Sequence, residues 1–192
     1  MVSRRLFADP VCDIMDARPD GSWKGAQSVI EVSVYSVLYS LLSRYRVVLL
    51  RESHGERYLP IWIGQYESEA IAMRLQGTSV PRPLTHDLLL NIIVELGGMI
   101  QHILINDLND STFYARIAIE RDGELQFVDS RPSDAIALAV RASVPIYVEE
   151  SVLEKAGILP SPEIRLGSTA DEDKLDVFRD FVDTLDLDDL GE

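Results

Sequence analysis

ELQFVDSRPSDAIALAVRA, residues 124–142, changes character twice within a short span. Glu124–Ser130 reads as a strand, entered from a tight Asp122-Gly123 turn. Pro132, Ser133 and Asp134 then open a helix for which Ser133 is the expected N-cap. From Ala135 to Ala142 that helix is apolar on nearly every side, so it has to be buried rather than lie on a surface. A strand that feeds directly into a buried helix implies an α+β domain, with helices packed on a sheet.

The flanking sequence extends the same architecture. VIEVSVYSVLYS, RVVLLRE and RYLPIWIG are rich in β-branched and aromatic residues and read as strands; Ser53-His54-Gly55-Glu56 forms a hairpin between the last two. YESEAIAMRLQG has helical spacing, with Gly77 as its C-cap. THDLLLNIIVELGG reads as a helix with Thr85 as N-cap, Asp87 favoured by the helix dipole in the first turn, and Gly97-Gly98 as the stop. MIQHILIND and TFYARIAIER form an antiparallel pair joined through Asp107–Ser111. PIYV gives a short strand, and SVLE at Ser151–Glu154 is a capping box for a last helix. A weak repeat runs through the chain: Gly55-Glu56, Glu69-Ala-Ile-Ala-Met and Ser79-Val-Pro81 recur at Gly123-Glu124, Asp134-Ala-Ile-Ala-Leu and Ser143-Val-Pro145. The expectation is two related strand-hairpin-helix units about a pseudo-two-fold axis; chance recurrence of hairpins and alanine-rich helices is the alternative.

The 192 residues, 46% of them apolar, suit one globular domain, and no stretch is long and apolar enough to span a bilayer. The expected organisation is a leader over 1–27, a folded domain over 28–159 and an acidic tail over 160–192. MVSRRLFADPVCD has no signal-peptide core, and the single cysteine, Cys12, excludes an internal disulfide or a cysteine-rich zinc site. A cytoplasmic protein without membrane association is the natural reading. Of the net charge of −14, the segment from Ser161 to Glu192 supplies 11 acids and 3 bases, or −8; the rest of the chain carries −6. This is not the basic footprint of a passive nucleic-acid binder, so phosphate binding must rest on local arginines or a divalent cation. In the tail, Leu175, Phe178, Val182 and Leu185 have the spacing of an amphipathic helix that docks on the domain or on a partner.

Polar chemistry concentrates in two Arg-Pro stretches, PRPLTHD at Pro81–Asp87 and DSRPSD at Asp129–Asp134. In the first, Arg82, Thr85, His86 and Asp87 surround a helix start, where free N–H groups, a hydroxyl, an imidazole and a guanidinium suit an anion. His86 titrates near neutral pH and serves as a candidate base or metal ligand. In the second, Asp129 and Asp134 offer the oxygen ligands magnesium prefers, and Arg131 can neutralise a phosphate. The plainer reading gives these residues only capping and ion-pair roles. Glu67 and Glu69 are accounted for by the dipole of the helix they open, and Asp107 and Asp110 by Asx turns. No GxSxG, Walker, GxGxxG, HExxH or CxxC motif occurs.

Taken together, RYLPIWIGQYESEAIAMRLQG, PRPLTHDLL, LNDSTFYARI and SRPSDAIALAVRASVPIYVEESVL resemble the bifunctional nuclease family, over about Ile30 to Ile158 and in the same order. The resemblance implies a mixed, largely antiparallel sheet with packed helices, a homo-oligomer with a dimer favoured, and nuclease activity on DNA and RNA. Residue by residue, Arg82, Thr85, His86 and Asp87 match one signature, and Arg131, Ser133 and Asp134 the other. SVYSVLYSLLSRYR departs from the more polar loop of the family, which puts the first hairpin in question. The implied assignment has His86, Asp87, Ser133 and Asp134 as catalytic residues, Arg82, Thr85 and Arg131 as substrate-binding residues, and Glu69, Asp129 and Asp134 as ligands for magnesium or manganese. A non-catalytic regulatory or ligand-binding oligomer is the alternative, and it accommodates the acidity more easily.

Overall fold

The computed structural model describes residues 28–39 and 45–159. The expected leader, the tail with its amphipathic pattern and the link over 40–44 lie outside the described residues. Seven strands form one sheet: β1 (Val29–Tyr39), β2 (Arg46–Glu52), β3 (Tyr58–Trp62), β4 (Met99–Asn109), β5 (Thr112–Arg121), β6 (Glu124–Ser130) and β7 (Ile146–Glu149). Their order is β3-β2-β1-β7-β4-β5-β6. Only β4–β7 is parallel; every other neighbouring pair is antiparallel. Among the described residues four helices accompany the sheet, α1 (Gln65–Leu75), α2 (Thr85–Glu95), α3 (Pro132–Ala142) and α4 (Glu150–Ala156). The domain is α+β with a mixed, mostly antiparallel sheet.

The connectivity has the order of the sequence repeat. β1-β2-β3 and β4-β5-β6 are both antiparallel meanders, each followed by a helix, α1 and α3, that packs against its counterpart. Because β7 is antiparallel to β1 and parallel to β4, the two meanders run in opposite senses and place β3 and β6 at opposite edges. That arrangement is what an axis perpendicular to the sheet near β7 produces. The questioned first hairpin is present: β1 pairs antiparallel with β2 through a bulge between Val34 and Ser36.

One face of the sheet makes the core. Val48, Leu50, Ile103, Ile105, Ile117 and Val148 meet Ile71 of α1, Ile136 and Leu138 of α3, and Val152 and Leu153 of α4. Each such side chain contributes about 1.5–3 kcal/mol by leaving water. At the periphery Arg57 fastens the β2–β3 hairpin to α4, reaching Glu52 at 3.0 Å and Glu150 at 2.6 Å. The second helix is the exception. Despite six apolar residues in THDLLLNIIVE, none is fully buried; only Leu90 and Ile93 touch the core edge.

The helix starts differ from the sequence reading in a consistent way. Thr85 is the first helical residue, and Leu84 occupies the cap position; Asp87 reaches back to accept from the Leu84 N–H at 2.9 Å. In α3 the cap position belongs to Arg131, because Pro132, with its fixed φ and missing N–H, takes the first helical position and moves Ser133 inward. In α4 the helix begins at Glu150, so Ser151 lies inside it and caps nothing. The helix α1 ends at Leu75, and its C-cap is Gln76 rather than Gly77, which follows at φ +65°. The expected Asp107–Ser111 loop is shorter: β4 continues to Asn109, and Asp110 and Ser111 alone make the turn, at φ 45° and 60°. Two consecutive positive φ values define the hairpin turn that matches strand twist, which Asp tolerates.

Leu138 is fully buried between α3 and the sheet. Leu138→Ala should therefore lower unfolding free energy by about 2–5 kcal/mol, read as a lower urea midpoint with an unchanged slope.

Candidate functional site

The three helix starts that the sequence left separate converge on one side of α2. Arg131, at the cap position of α3, donates from Nε to Asp134 at 2.8 Å and from a terminal nitrogen to Glu67 of α1 at 2.6 Å. Asp134, three residues further into α3, lies 3.1 Å through Oδ1 from Nε2 of His86 in the first turn of α2. A chain Glu67–Arg131–Asp134–His86 thus joins α1, α3 and α2. The Arg131 side chain is 66% exposed, whereas that of His86 is mostly buried. Among the described residues no partner is recorded for the remaining terminal nitrogen of Arg131.

Burial by itself would raise the Asp134 carboxyl, but hydrogen bonds from Arg131 and His86 together with the Arg131 charge hold it below its ordinary value. An ionised Asp134 accepts the Nε2 proton of His86, which leaves Nδ1 as the acceptor. The pair has the geometry of a general base with an orienting carboxylate.

Asp87 faces the other way. One carboxylate oxygen accepts from the Leu84 N–H and the other from Arg141 Nε at 2.7 Å. Arg141 is 4% exposed and also donates to the carbonyls of Ala137 and Ala70, so it pins α2, α3 and α1 together. Burial works against the Asp87 carboxyl too, yet the Leu84 N–H and Arg141 keep it ionised below its usual range. With both oxygens engaged, Asp87 holds structure and sits outside the His86 cluster.

The other expected residues scatter. Ser133 is buried inside α3 and Thr85 is exposed on α2. Arg82 lies on the Asp87 side of α2, in a cleft of about 340 Å³ with Arg74 and Arg141. The expected metal set does not assemble. Glu69 is bound by Arg46 at 3.1 Å and by Gln65, Asp129 is exposed on β6, and Asp134 is committed to Arg131 and His86. Among the described residues no three His, Cys, Asp or Glu side chains gather as a cation requires. Among the described residues, the expected donors therefore do not form a magnesium or manganese centre.

Two residues that hold this region together went unread in the sequence. Glu67 has its partner in Arg131, 64 positions away, rather than only a helix dipole. Arg141 is the lone cation in an otherwise apolar helix, a pattern that by itself calls for a buried acceptor.

Since both Asp134 and Asp87 titrate below their ordinary 3.8 in the folded chain, each adds stability that is present above that value and lost as pH falls through the lowered one. Between about pH 5 and pH 1 the wild type should lose more unfolding free energy than the Asp87→Asn/Asp134→Asn variant, measured by urea titration at each pH.

A profile of the bifunctional nuclease domain matches residues 48–161. An uncharacterized Mycobacterium tuberculosis protein is 45% identical over 162 residues, covering 83% of this chain and 97% of the relative. Two proteins of Oryza sativa subsp. japonica are more distant. Bifunctional nuclease 1 is 26% identical over 59% of this chain and 35% of its own length. Bifunctional nuclease 2 is 28% identical over 65% and 39%. The match thus spans little more than a third of either rice protein.

Proposed function

The chain belongs to the bifunctional nuclease domain family, and from that premise we propose that it hydrolyses phosphodiester bonds of DNA and RNA at the His86–Asp134–Arg131 cluster. The observation that carries this reading is the 3.1 Å contact between His86 and Asp134, with Arg131 bound to the same carboxylate. Asp134 fixes the imidazole, and Nδ1 of His86 takes a proton from water as its oxygen attacks phosphorus. The exposed Arg131 neutralises the non-bridging oxygens, whose charge grows as the new P–O bond forms and the old one breaks. The departing oxygen leaves with a proton from His86, now charged, or from solvent. Glu67 keeps Arg131 oriented without taking part in the chemistry. No step is routed through a metal, since among the described residues the expected donors do not come together. A cytoplasmic setting agrees with the single cysteine, and no helix among the described residues is long and apolar enough to cross a membrane.

The test uses purified full-length chain with single-stranded DNA and RNA at low salt, with magnesium, with manganese and with chelator. His86→Ala should cut the rate by about 10²–10⁴-fold, and Arg131→Ala and Asp134→Asn should also slow it strongly. Cleavage of equal rate in all three variants marks a contaminant and sinks the assignment.

The same reading includes a homodimer, with α2 as the proposed contact. Leu88, Ile92 and Leu96 are 54%, 45% and 63% exposed, with Leu89, Val94 and Met99 beside them. Exposed apolar side chains gathered on one short helix mark an interaction surface. Two copies of a chain with a net charge of −14 repel, so they must meet on uncharged surface; beyond the first turn, α2 has Glu95 as its one ionisable residue. Light scattering after size exclusion should show a dimer for the wild type and a monomer with native circular dichroism for Leu88→Glu/Ile92→Glu. A monomeric wild type at micromolar concentration would overturn the contact.

A further inference from the structure

The cleft holding Arg82 is separated from the His86 cluster only by the first turn of α2, whose consecutive residues His86 and Asp87 face opposite ways. It lies between the end of α1, the connection over 78–84 and the end of α3. Its charge is the reverse of the chain's. Three arginines, Arg74, Arg82 and Arg141, line it against one acid, Asp87, in a protein of net charge −14.

Two of these arginines are already committed. Arg141 is bound to Asp87 and to the carbonyls of Ala70 and Ala137. Arg74 donates to the carbonyls of Val140 and Arg141 at the end of α3, which accept hydrogen bonds but carry only partial charge. Arg82 is exposed, and among the described residues it has no hydrogen bond or ion pair, so its whole fork is available. A cleft with unspent positive charge in an acidic chain is built for an anion. The rest of its wall joins apolar side chains, Met73, Pro81 and Leu84 among them, to the hydroxyls of Thr78 and Ser79. Apolar side chains next to an open guanidinium suit a ligand with a ring at one end and a phosphate at the other. The volume is near the lower limit for small-molecule sites and holds one nucleotide, not a base-paired step.

We propose that this cleft binds a single nucleotide unit, its phosphate on Arg82 and Ser79 and its base against Met73 and Pro81. In the part that rests on the nuclease reading, the unit is the nucleotide next to the phosphate cut at His86, and the site takes strands whose bases are unpaired.

Calorimetric titration of the full chain with adenosine monophosphate, adenosine and inorganic phosphate tests the cleft without any cleavage. The monophosphate should bind more tightly than either fragment. Arg82→Glu should weaken it at least tenfold, while Arg121→Glu, an equal charge change on β5, should leave it as it is. Equal affinity for phosphate alone, or equal behaviour of the two variants, overturns the nucleotide site. In the cleavage assay, Arg82→Glu should raise KM for single-stranded DNA with kcat retained, and duplex should be cut poorly by both forms. Nucleotide binding without cleavage by any form leaves the cleft standing and removes the nuclease reading. Cleavage without nucleotide binding removes the cleft alone.

Discussion

One buried guanidinium holds the functional side of this domain in shape. Arg141 reaches the Asp87 carboxylate of α2, the Ala70 carbonyl of α1 and the Ala137 carbonyl of its own helix. The first of these matters most, because α2 has no fully buried side chain and touches the core only through Leu90 and Ile93. An ion pair in a shielded place costs desolvation, and it is sustained only when its remaining donors also find acceptors. The two carbonyls meet that condition. Removing either charged partner would leave the other stranded and release the first turn of α2, which carries His86.

The near-symmetry of the sheet explains why helix starts meet there. Two meanders running in opposite senses bring α1 and α3 side by side on one face, and α2 packs across α3. Glu67, Arg131, Asp134 and His86 are thereby joined although they span 67 positions of sequence. The cluster is partly open to water through Arg131 and largely closed at the imidazole. That asymmetry suits a base that must keep its orientation and a cation that must meet a phosphate. Asp87, one residue on from His86, serves the fold instead, since helical geometry turns adjacent side chains about 100° apart.

Much of the architecture was legible in the chain itself. The all-round apolar stretch Ala135–Ala142 announced a buried helix, and Asp122-Gly123 a tight turn, since each signal is local. Helix caps were read less well. Thr85 and Ser133 have the right chemistry for caps, but Leu84 and Arg131 hold those positions; a proline at the first helical position and an acid reaching back from the third satisfy the starts by other means. Asp107–Ser111 read as a loop because its residues favour turns, yet pairing with β5 carries the strand to Asn109.

The candidate site divides along the same line. Sequence by itself determined where the candidates for the chemistry lie: two Arg-Pro stretches at two helix starts, in a chain otherwise too acidic to attract phosphate. It determined as well that α3 is interior, because a helix apolar on nearly every side loses least by being buried. Only the tertiary structure decided that His86 meets Asp134, that Arg131 is shared with Glu67, that Asp87 belongs to Arg141, and that Glu69 and Asp129 stand apart from both. Periodicity and capping act over a few residues along the chain. Ion pairs form across tens of residues, and which charges pair is fixed by how the two halves of the sheet set their helices against each other.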